Sequence, residues 1–521
     1  MVLIFNPIIL IILKILIQTF FEEKAAMKFR ELLTVSDINV TADGGSGDPV
    51  ISDIVYDSRN VKPGSLYVAV PGTKVHGDTF IESAIKNGAA AIVSENSQDR
   101  LSTPWAKVSD VRAALGKLGL ALWGIDMNRL TAVGVTGTNG KTTTACLFKN
   151  LFDRVYGREY SWLFGTIANI LGGESVGASH TTPEAVDIFR LVNNAKTKPK
   201  SLVMEVSSHA LALRRVAGMK FKVSVWTNLT QDHLDFHKSM EEYYAAKKRL
   251  FVDCDYVTLD WRGVINVDDE YGKRLYSELK SANMMIYGYG RSGDADVKIT
   301  GWKCDWSGTS VDIEYRDRKF AFTSPLRGFF NVYNMTAMIT GAFVLGIDVD
   351  VISDALVSMP TVSGRMDTVD VGAPFTVVVD YAHTPDALVN VLKTCEELTA
   401  GRVICVFGCG GDRDKTKRPL MAKAVAENCD RAVVTSDNPR GEEPEAIIND
   451  VLKGMPSDFT YTVVTDRRDA IKLALSEARP GDCVVIAGKG HENYQEVKGV
   501  KSDFDDRAEA IKCVSTITKL R

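Results

Sequence analysis

The feature that most constrains this chain is a glycine-rich turn between an apolar strand and a helix. Gly134-Val-Thr-Gly137-Thr138-Asn139-Gly140-Lys141-Thr142-Thr143 follows a strand expected over Thr131 to Thr136 and opens a helix expected over Thr142 to Phe152. At such a junction the loop's backbone N–H groups converge on an anion, and the helix N-terminus adds partial positive charge. Lys141 is placed to reach the β and γ phosphates of ATP, and the Thr142 hydroxyl to bind Mg²⁺, while Gly137, Thr138, Asn139, Gly140 and Thr143 complete the cradle. The first glycine comes one residue early, because Val135 stands where the common phosphate loop has glycine. A plain glycine-rich turn is the competing explanation, but it does not account for Gly-Lys-Thr-Thr at a strand–helix boundary.

At 521 residues the chain exceeds one ordinary core, so about three domains of roughly 150 residues each are expected. The pattern divides accordingly. Residues 27–127 read as short strands, turns and small helices, with a turn at Pro63-Gly64 and a strand at Ala89 to Ser94. In residues 128–361 strands and helices alternate, with strands at Ser201 to Val206 and Val223 to Leu229 and a helix at Glu241 to Phe251. In residues 362–521 the alternation restarts, with strands at Phe375 to Asp380, Val403 to Phe407, Ala432 to Thr435, Tyr461 to Thr465 and Cys483 to Ala487. Alternation of this kind predicts parallel sheets covered by helices. The expected fold is therefore α/β: a central phosphate-loop domain, a small α/β domain before it, and a doubly wound, Rossmann-like domain after it.

The net charge of −4, with no basic block, gives no hint of nucleic acid as a partner, and none is expected. Nine scattered cysteines, an odd number, fit reduced thiols in a cytoplasmic protein. Residues 1–26 form a separate hydrophobic extension. Val2 to Phe21 is long enough for a membrane helix, but Pro7 and Lys14 interrupt it and no small-residue cleavage site follows. A start at Met27, a membrane-associating segment and a core helix all remain open, so membrane contact is expected only if this extension is part of the working protein.

Further motifs sit at the ends of expected strands. Met204-Glu205-Val-Ser207-Ser-His offers a carboxylate that could hold Mg²⁺ beside a triphosphate. Asn228-Leu-Thr-Gln-Asp-His233-Leu-Asp-Phe-His237 and the helical Tyr244-Ala-Ala-Lys247-Lys248 would, taken singly, be a polar loop and a solvated lysine. In the last third, Gly410-Gly-Asp-Arg413-Asp, Asp437-Asn438-Pro439-Arg440 and Gly488-Lys-Gly-His-Glu492 all follow strands. In an open parallel sheet that edge is where ligands bind, so three such loops predict one shared pocket.

These segments, in this order from about Asp57 to Arg507, resemble the Mur ligase family, ATP-dependent amide-forming enzymes of peptidoglycan precursor synthesis. The early glycine is that family's own form of the loop. The resemblance implies Mg²⁺ ligands at Thr142 and Glu205 and a ligand of a second Mg²⁺ at His233, with Lys247 carrying a carbamate that binds metal, and so a catalytic group of Lys141, Lys247, Glu205 and His233. It implies ATP contacts from Asn334, Arg365, Asp380 and His383. The family usually has glutamate where this chain has Asp367, so no role is carried over there. In the first domain it implies a uridine-nucleotide site at Ser58, Thr73, Lys74 and Val75. Thr181, Thr182, Ser207 and Arg215 would touch the sugar-peptide, UDP-N-acetylmuramoyl-L-alanyl-D-glutamate. Leu213 replaces a common glutamine, and that contact is not carried over. The C-terminal loops are most similar to those of members that add meso-diaminopimelate: Arg440, with Arg413, would take its second carboxylate. Asp437, Asn438, Pro439, Gly488 and Glu492 would hold the remainder. L-lysine as the amine is the alternative, and folate polyglutamation or a nucleotide-binding switch without ligase chemistry are more distant ones.

Overall fold

The computed structural model describes residues 26–72, 75–178 and 180–520; residues 1–25, on which the hydrophobic extension falls, lie outside it, as do Thr73 and Lys74. Three large sheets follow one another along the chain. The first has five strands in the order Val40–Gly44, Trp105–Val108, Ala89–Ser94, Ser65–Val68, Asp53–Val55. It shares one continuous core with a face of the central sheet, where helix Val111–Trp123 packs on helix Ala185–Asn194.

The central sheet has eleven strands. Its middle is parallel, in the order Ser161–Phe164, Ser201–Glu205, Thr131–Thr136, Phe221–Trp226, Val257–Asn266, Ile286–Gly290. Both edges depart from the expected alternation. A hairpin of Ala168–Leu171 and Glu174–Gly177 adds at one side, and an antiparallel meander of Val297–Asp305, Gly308–Tyr315 and Arg318–Ser324 at the other. In the meander Val297, Ile299, Val311 and Ile313 are buried between exposed or half-buried neighbours, a period of two that marks a sheet covered on one face only.

The third sheet has six strands, ordered Asp367–Val369, Thr376–Asp380, Cys483–Ala487, Val403–Phe407, Arg431–Val434, Tyr461–Val463. Its five parallel strands are the expected ones to within two residues. Separate apolar clusters on its two faces make it doubly wound. The sixth, antiparallel strand was not expected, because a three-residue Asp-Thr-Val segment carries no apolar run.

Local signals place the elements that matter below. Helix Met240–Val252 starts at Ser239, whose Oγ accepts from the Glu242 N–H at 3.1 Å, while the Glu242 carboxylate accepts from the Lys238 N–H at 3.1 Å. Tyr243, Lys247 and Leu250 then fall on its buried face. Helix Pro385–Leu398 starts with proline in its first turn and Thr384 as its cap. Among the described residues no helix is long and apolar enough to cross a membrane.

Candidate active site

The glycine-rich loop leaves strand Thr131–Thr136 and enters helix Lys141–Tyr156. Two of its glycines are dictated by space and by backbone angle. A Cβ on Gly137 (φ 152°) would lie 1.9 Å from Thr227 Oγ1, and one on Gly140 (φ 83°) 2.5 Å from Asn334 Oδ1. The next strand's exit braces the loop: the Thr138 N–H donates to the Asn228 carbonyl and the Asn139 N–H to Asn228 Oδ1, both at 2.9 Å. Lys141 Nζ folds back on the carbonyls of Gly137 (2.9 Å) and Thr138 (2.8 Å). Burial lowers its pKa, with the charge of Glu205 opposing.

Next to the loop the Thr142 hydroxyl donates to Glu205 Oε2 at 2.9 Å. Glu205 also accepts from the N–H (2.7 Å) and hydroxyl (3.0 Å) of Thr166. It is 1% exposed, and among the described residues no lysine, arginine or histidine forms an ion pair with it. A buried carboxylate without a counter-cation is costly, so its donor set fits a hard divalent ion.

Lys247 presents the mirror case. It is also 1% exposed, its Nζ donates to the Gly137 carbonyl at 2.7 Å and stands 4.8 Å from the Tyr243 ring, and no carboxylate pairs with it among the described residues. Burial, then the charge of Lys141, drive its pKa well below the ordinary lysine value. Above it His209, His233 and His237 cluster, with the His209 and His233 rings 4.8 Å apart. Burial lowers the His233 pKa, with the charge of Asp232 opposing, which favours the neutral imidazole, the form that can ligate a metal. His233 holds φ at 56°, left-handed for a residue with a Cβ, and its N–H donates to Asp232 Oδ1 at 2.9 Å.

The C-terminal unit closes over this edge. A cavity of about 490 Å³ is lined by Thr138, Asn139, Gly140, Lys141, Thr142 and Thr143 on one side and by Arg365, Asp380 and His383 on the other, with Asn334, Phe329 and Tyr333 from helix Phe329–Val344. Gly137 is not in its lining. Arg365 donates to Thr142 Oγ1 at 3.0 Å and stacks over Tyr381 at 4.7 Å. Asp380 is pushed up to about 6 by burial, although it accepts from the N–H groups of Met366 and Ala382. Burial lowers His383 to about 4. Asn139 Nδ2 donates to Asp386 Oδ2 at 2.8 Å, which ties the loop directly to helix Pro385–Leu398.

Behind this seam, the three loops at the C-terminal ends of the third sheet meet as their positions predicted. Lys489, fully buried, donates to Asn438 Oδ1 at 3.0 Å and lies 3.5 Å from Asp437 and 3.4 Å from Glu492. Asn438 Nδ2 donates to Glu492 Oε2 at 2.7 Å. Burial, then the charge of Asp437, raise the pKa of Glu492. Gly488 (φ 117°) donates its N–H to the Asp380 carbonyl, linking this cluster to the cavity wall. After Pro439 comes Arg440, at φ 50°, whose guanidinium donates to the Gly411 carbonyl at 2.8 Å. Arg413 is exposed and donates to the Asp412 carbonyl.

Thr181, Thr182 and Ser207 adjoin Glu205: Thr182 Oγ1 donates to the Glu205 carbonyl at 2.8 Å, the Ser207 N–H donates to Thr182 Oγ1 at 3.0 Å, and Thr181 accepts from Thr166 at 3.2 Å. Arg215 lies 3.6 Å from Glu184. Ser58 and Val75 sit in the first unit, Ser58 buried with its carbonyl accepting from Asn87 and Val75 exposed. Sequence reasoning passed over Asp386, Tyr381, Lys417 and Lys489, and gave Asp232 no role beyond its place in the Asn228–His237 motif. Lys489 stood inside a motif already singled out, but nothing in spacing tells a pocket lysine from a solvated one.

Comparison with known proteins adds the following. The family described as "Mur ligase middle domain" matches residues 135–342, "Mur ligase, glutamate ligase domain" residues 364–490, and "Mur ligase family, catalytic domain" residues 50–121. A UDP-N-acetylmuramoyl-L-alanyl-D-glutamate–2,6-diaminopimelate ligase of Syntrophomonas wolfei is 43% identical over 490 residues, covering 92% of this chain and 98% of its own. Its namesake in Gloeobacter violaceus is 44% identical over 494 residues, covering 94% and 98%. A solved structure of a ligase with the same name superposes with a TM-score of 0.67 at 34% identity, over 95% of this chain and 99% of that one.

Proposed function

The chain belongs to the Mur ligase family, and on that premise we propose that it joins the amino group of meso-diaminopimelate to the free carboxylate of UDP-N-acetylmuramoyl-L-alanyl-D-glutamate, using ATP and releasing ADP and phosphate. The observation that carries this is one of position. The Lys141–Thr142–Glu205 group and the Arg440–Glu492 pocket belong to different units, yet both adjoin the same seam, linked through Asp380 and Gly488. A two-substrate condensation needs that arrangement. The relatives' names favour diaminopimelate over lysine, and the placement of Arg440 agrees.

The γ-phosphate passes to the substrate carboxylate, giving an acyl phosphate and ADP. The diaminopimelate nitrogen then attacks the acyl carbon, phosphate leaves with the bonding pair, and the nitrogen loses a proton. The loop N–H groups and Lys141 hold the phosphates and stabilise charge on the transferring group. Thr142 and Glu205 would hold one Mg²⁺ and His233 a second, which supply charge neutralisation at the phosphoryl oxygens when bound. A lowered pKa at Lys247 supports its assigned carbamate: it leaves a free amine, the form that adds CO₂, and no carboxylate partner holds the side chain as an ammonium. Asn334, Arg365, Asp380 and His383 enclose the nucleotide. Residues 27–127 would hold the uridine nucleotide through Ser58 and the 73–75 loop, with Thr181, Thr182, Ser207 and Arg215 along the sugar-peptide. A nucleotide-linked substrate and the need for ATP support a cytoplasmic setting for the reaction.

Phosphate release from the purified protein, given the nucleotide dipeptide and a panel of amines, tests this. Diaminopimelate should support turnover at a kcat/KM at least about 100-fold above L-lysine, the worth of two charge-assisted hydrogen bonds at about 1.5 kcal/mol each. Arg440→Ala should erase most of that ratio. Equal use of lysine by the unaltered protein would overturn the amine assignment, and no release with any amine would overturn the ligase reading.

A further inference from the structure

Asp232 lies between the two halves of the seam. It is 4% exposed, and Lys417, 7% exposed, reaches it from helix Lys417–Ala426 of the C-terminal unit, with Nζ 3.1 Å from Oδ1. The same Oδ1 accepts the backbone N–H of His233 at 2.9 Å. One oxygen therefore joins a cation of the amine-binding unit to the backbone of the residue assigned to the metal. His233 is at φ 56°, a conformation a residue with a Cβ holds only when its surroundings enforce it. The Asp232 hydrogen bond is one such constraint, and Lys417 fixes the carboxylate that makes it. The other oxygen, Oδ2, lies 3.5 Å from His233 Nε2 and 4.0 Å from His383 Nε2. Beside the pair, Gln231 Nε2 donates to Thr416 Oγ1 at 3.1 Å, so two consecutive residues of the His233 loop contact two consecutive residues of the other unit.

We propose that Lys417 is a positioning residue: by clamping Asp232 it sets the His233 imidazole, so that the metal site is completed only when the amine-binding unit is seated. A buried ion pair suits this better than an apolar contact would. Its net stabilisation is close to zero when whole, because desolvation offsets attraction, whereas a half-made pair is strongly disfavoured. The seam therefore gains little glue and a sharp dependence on register. Lys417 itself touches no reacting atom in this scheme.

The inference rests on His233 being a metal ligand, and the test separates the two. Mn²⁺ affinity is measured by electron paramagnetic resonance on the full chain with a non-hydrolysable ATP analogue and the nucleotide dipeptide, for the unaltered protein, His233→Ala, Lys417→Met, Lys417→Arg and the double variant His233→Ala/Lys417→Met. Lys417→Met should weaken Mn²⁺ binding about tenfold and lower kcat at least tenfold, with the KM for ATP moving less than threefold. Lys417→Arg should recover most of both losses. In the double variant the lysine change should add nothing to the loss from His233→Ala. If His233→Ala binds Mn²⁺ as tightly as the unaltered protein, the ligand assignment fails. If His233→Ala weakens binding but Lys417→Met does not, or if the two losses multiply, the positioning role is overturned. Lys417→Met leaves the buried Asp232 without its cation and should lower the thermal midpoint as well, so the double variant decides: a lysine change that still weakens Mn²⁺ binding when His233 is absent reports general instability and overturns the proposal.

Discussion

Lys247 and Lys489 are both buried lysines of the seam, and their surroundings are opposite. Lys489 sits among Asp437, Asn438 and Glu492, with acceptors at 3.0 to 3.5 Å. Lys247 has one carbonyl at 2.7 Å, an aromatic face, and the like charge of Lys141 nearby. A cation enclosed by carboxylates is a structural member whose charge is already answered. A buried amine without an anion is driven to the neutral form and is therefore reactive. The same residue type thus stands as an answered charge among the loops of the third sheet and as an unanswered one beside the phosphate loop.

The largest effect should come from the reactive side. Lys141→Ala should lower ligase turnover by at least about 10³-fold, and Lys247→Ala by about 10²- to 10³-fold, the range for removing one preorganised charge from a transition state. The two should then diverge. If Lys247 acts as a carbamate, added acetate or formate should recover part of the Lys247→Ala activity by supplying a carboxylate in the vacated space, and should do nothing for Lys141→Ala. Recovery in neither, measured as phosphate release, would remove the carbamate from the scheme.

What the sequence could and could not deliver follows the same division. The loop, its flanking strand and helix, and the five parallel strands of the last sheet were readable because each carries a local signal: glycine where no Cβ fits, or an apolar run between turns. The convergence of the three C-terminal loops was readable because topology alone puts strand ends on one edge. The antiparallel edges were missed for two different reasons. The meander of 297–324 does show a period of two, and was submerged in the expectation of alternation, whereas Asp367–Val369 is too short to show any period. Lys417 and Asp386 were out of reach in principle. Each is an ordinary charged residue on its own element, and becomes significant only through a partner about 185 to 247 residues away.

A middle-sized effect tests the scaffold side. Lys489→Met keeps the side-chain length and removes the charge, which leaves the buried Asp437 and the half-buried Glu492 without their cation. Breaking a buried pair in this way costs about 3–5 kcal/mol, so the C-terminal unit should unfold at distinctly lower denaturant. Lys247→Met, which strands no carboxylate, should change stability by under about 1 kcal/mol or raise it. Denaturant midpoints for the two variants decide the matter, and equal losses would show that the surroundings of the two lysines do not differ as described.

The smallest effect concerns pH and the cavity wall. His383 and His491 flank Tyr381, with ring centroids 4.7 and 5.1 Å from it. Burial, followed by the charge of Lys417 at His383 and of Arg365 at His491, lowers each from 6.5 to about 4. Between those values the unfolded chain binds the proton and the folded one does not, so stability is full above pH 6.5 and falls as pH drops toward 4. Asp380 works the other way. Raised from 3.8 to about 6, it binds a proton in the folded state first, so its contribution is lost as pH rises through 6. Two imidazoles against one carboxyl leave a net loss on acidification, moderated because the His383 side chain is still 38% exposed. Thermal midpoints should therefore fall by a few degrees from pH 7 to pH 5, less in His383→Gln and more in Asp380→Asn. A steeper acid loss in His383→Gln would show that the ring is protonated in the folded cavity, where its charge would face Arg365 and Lys417 on one side and Asp232 on the other.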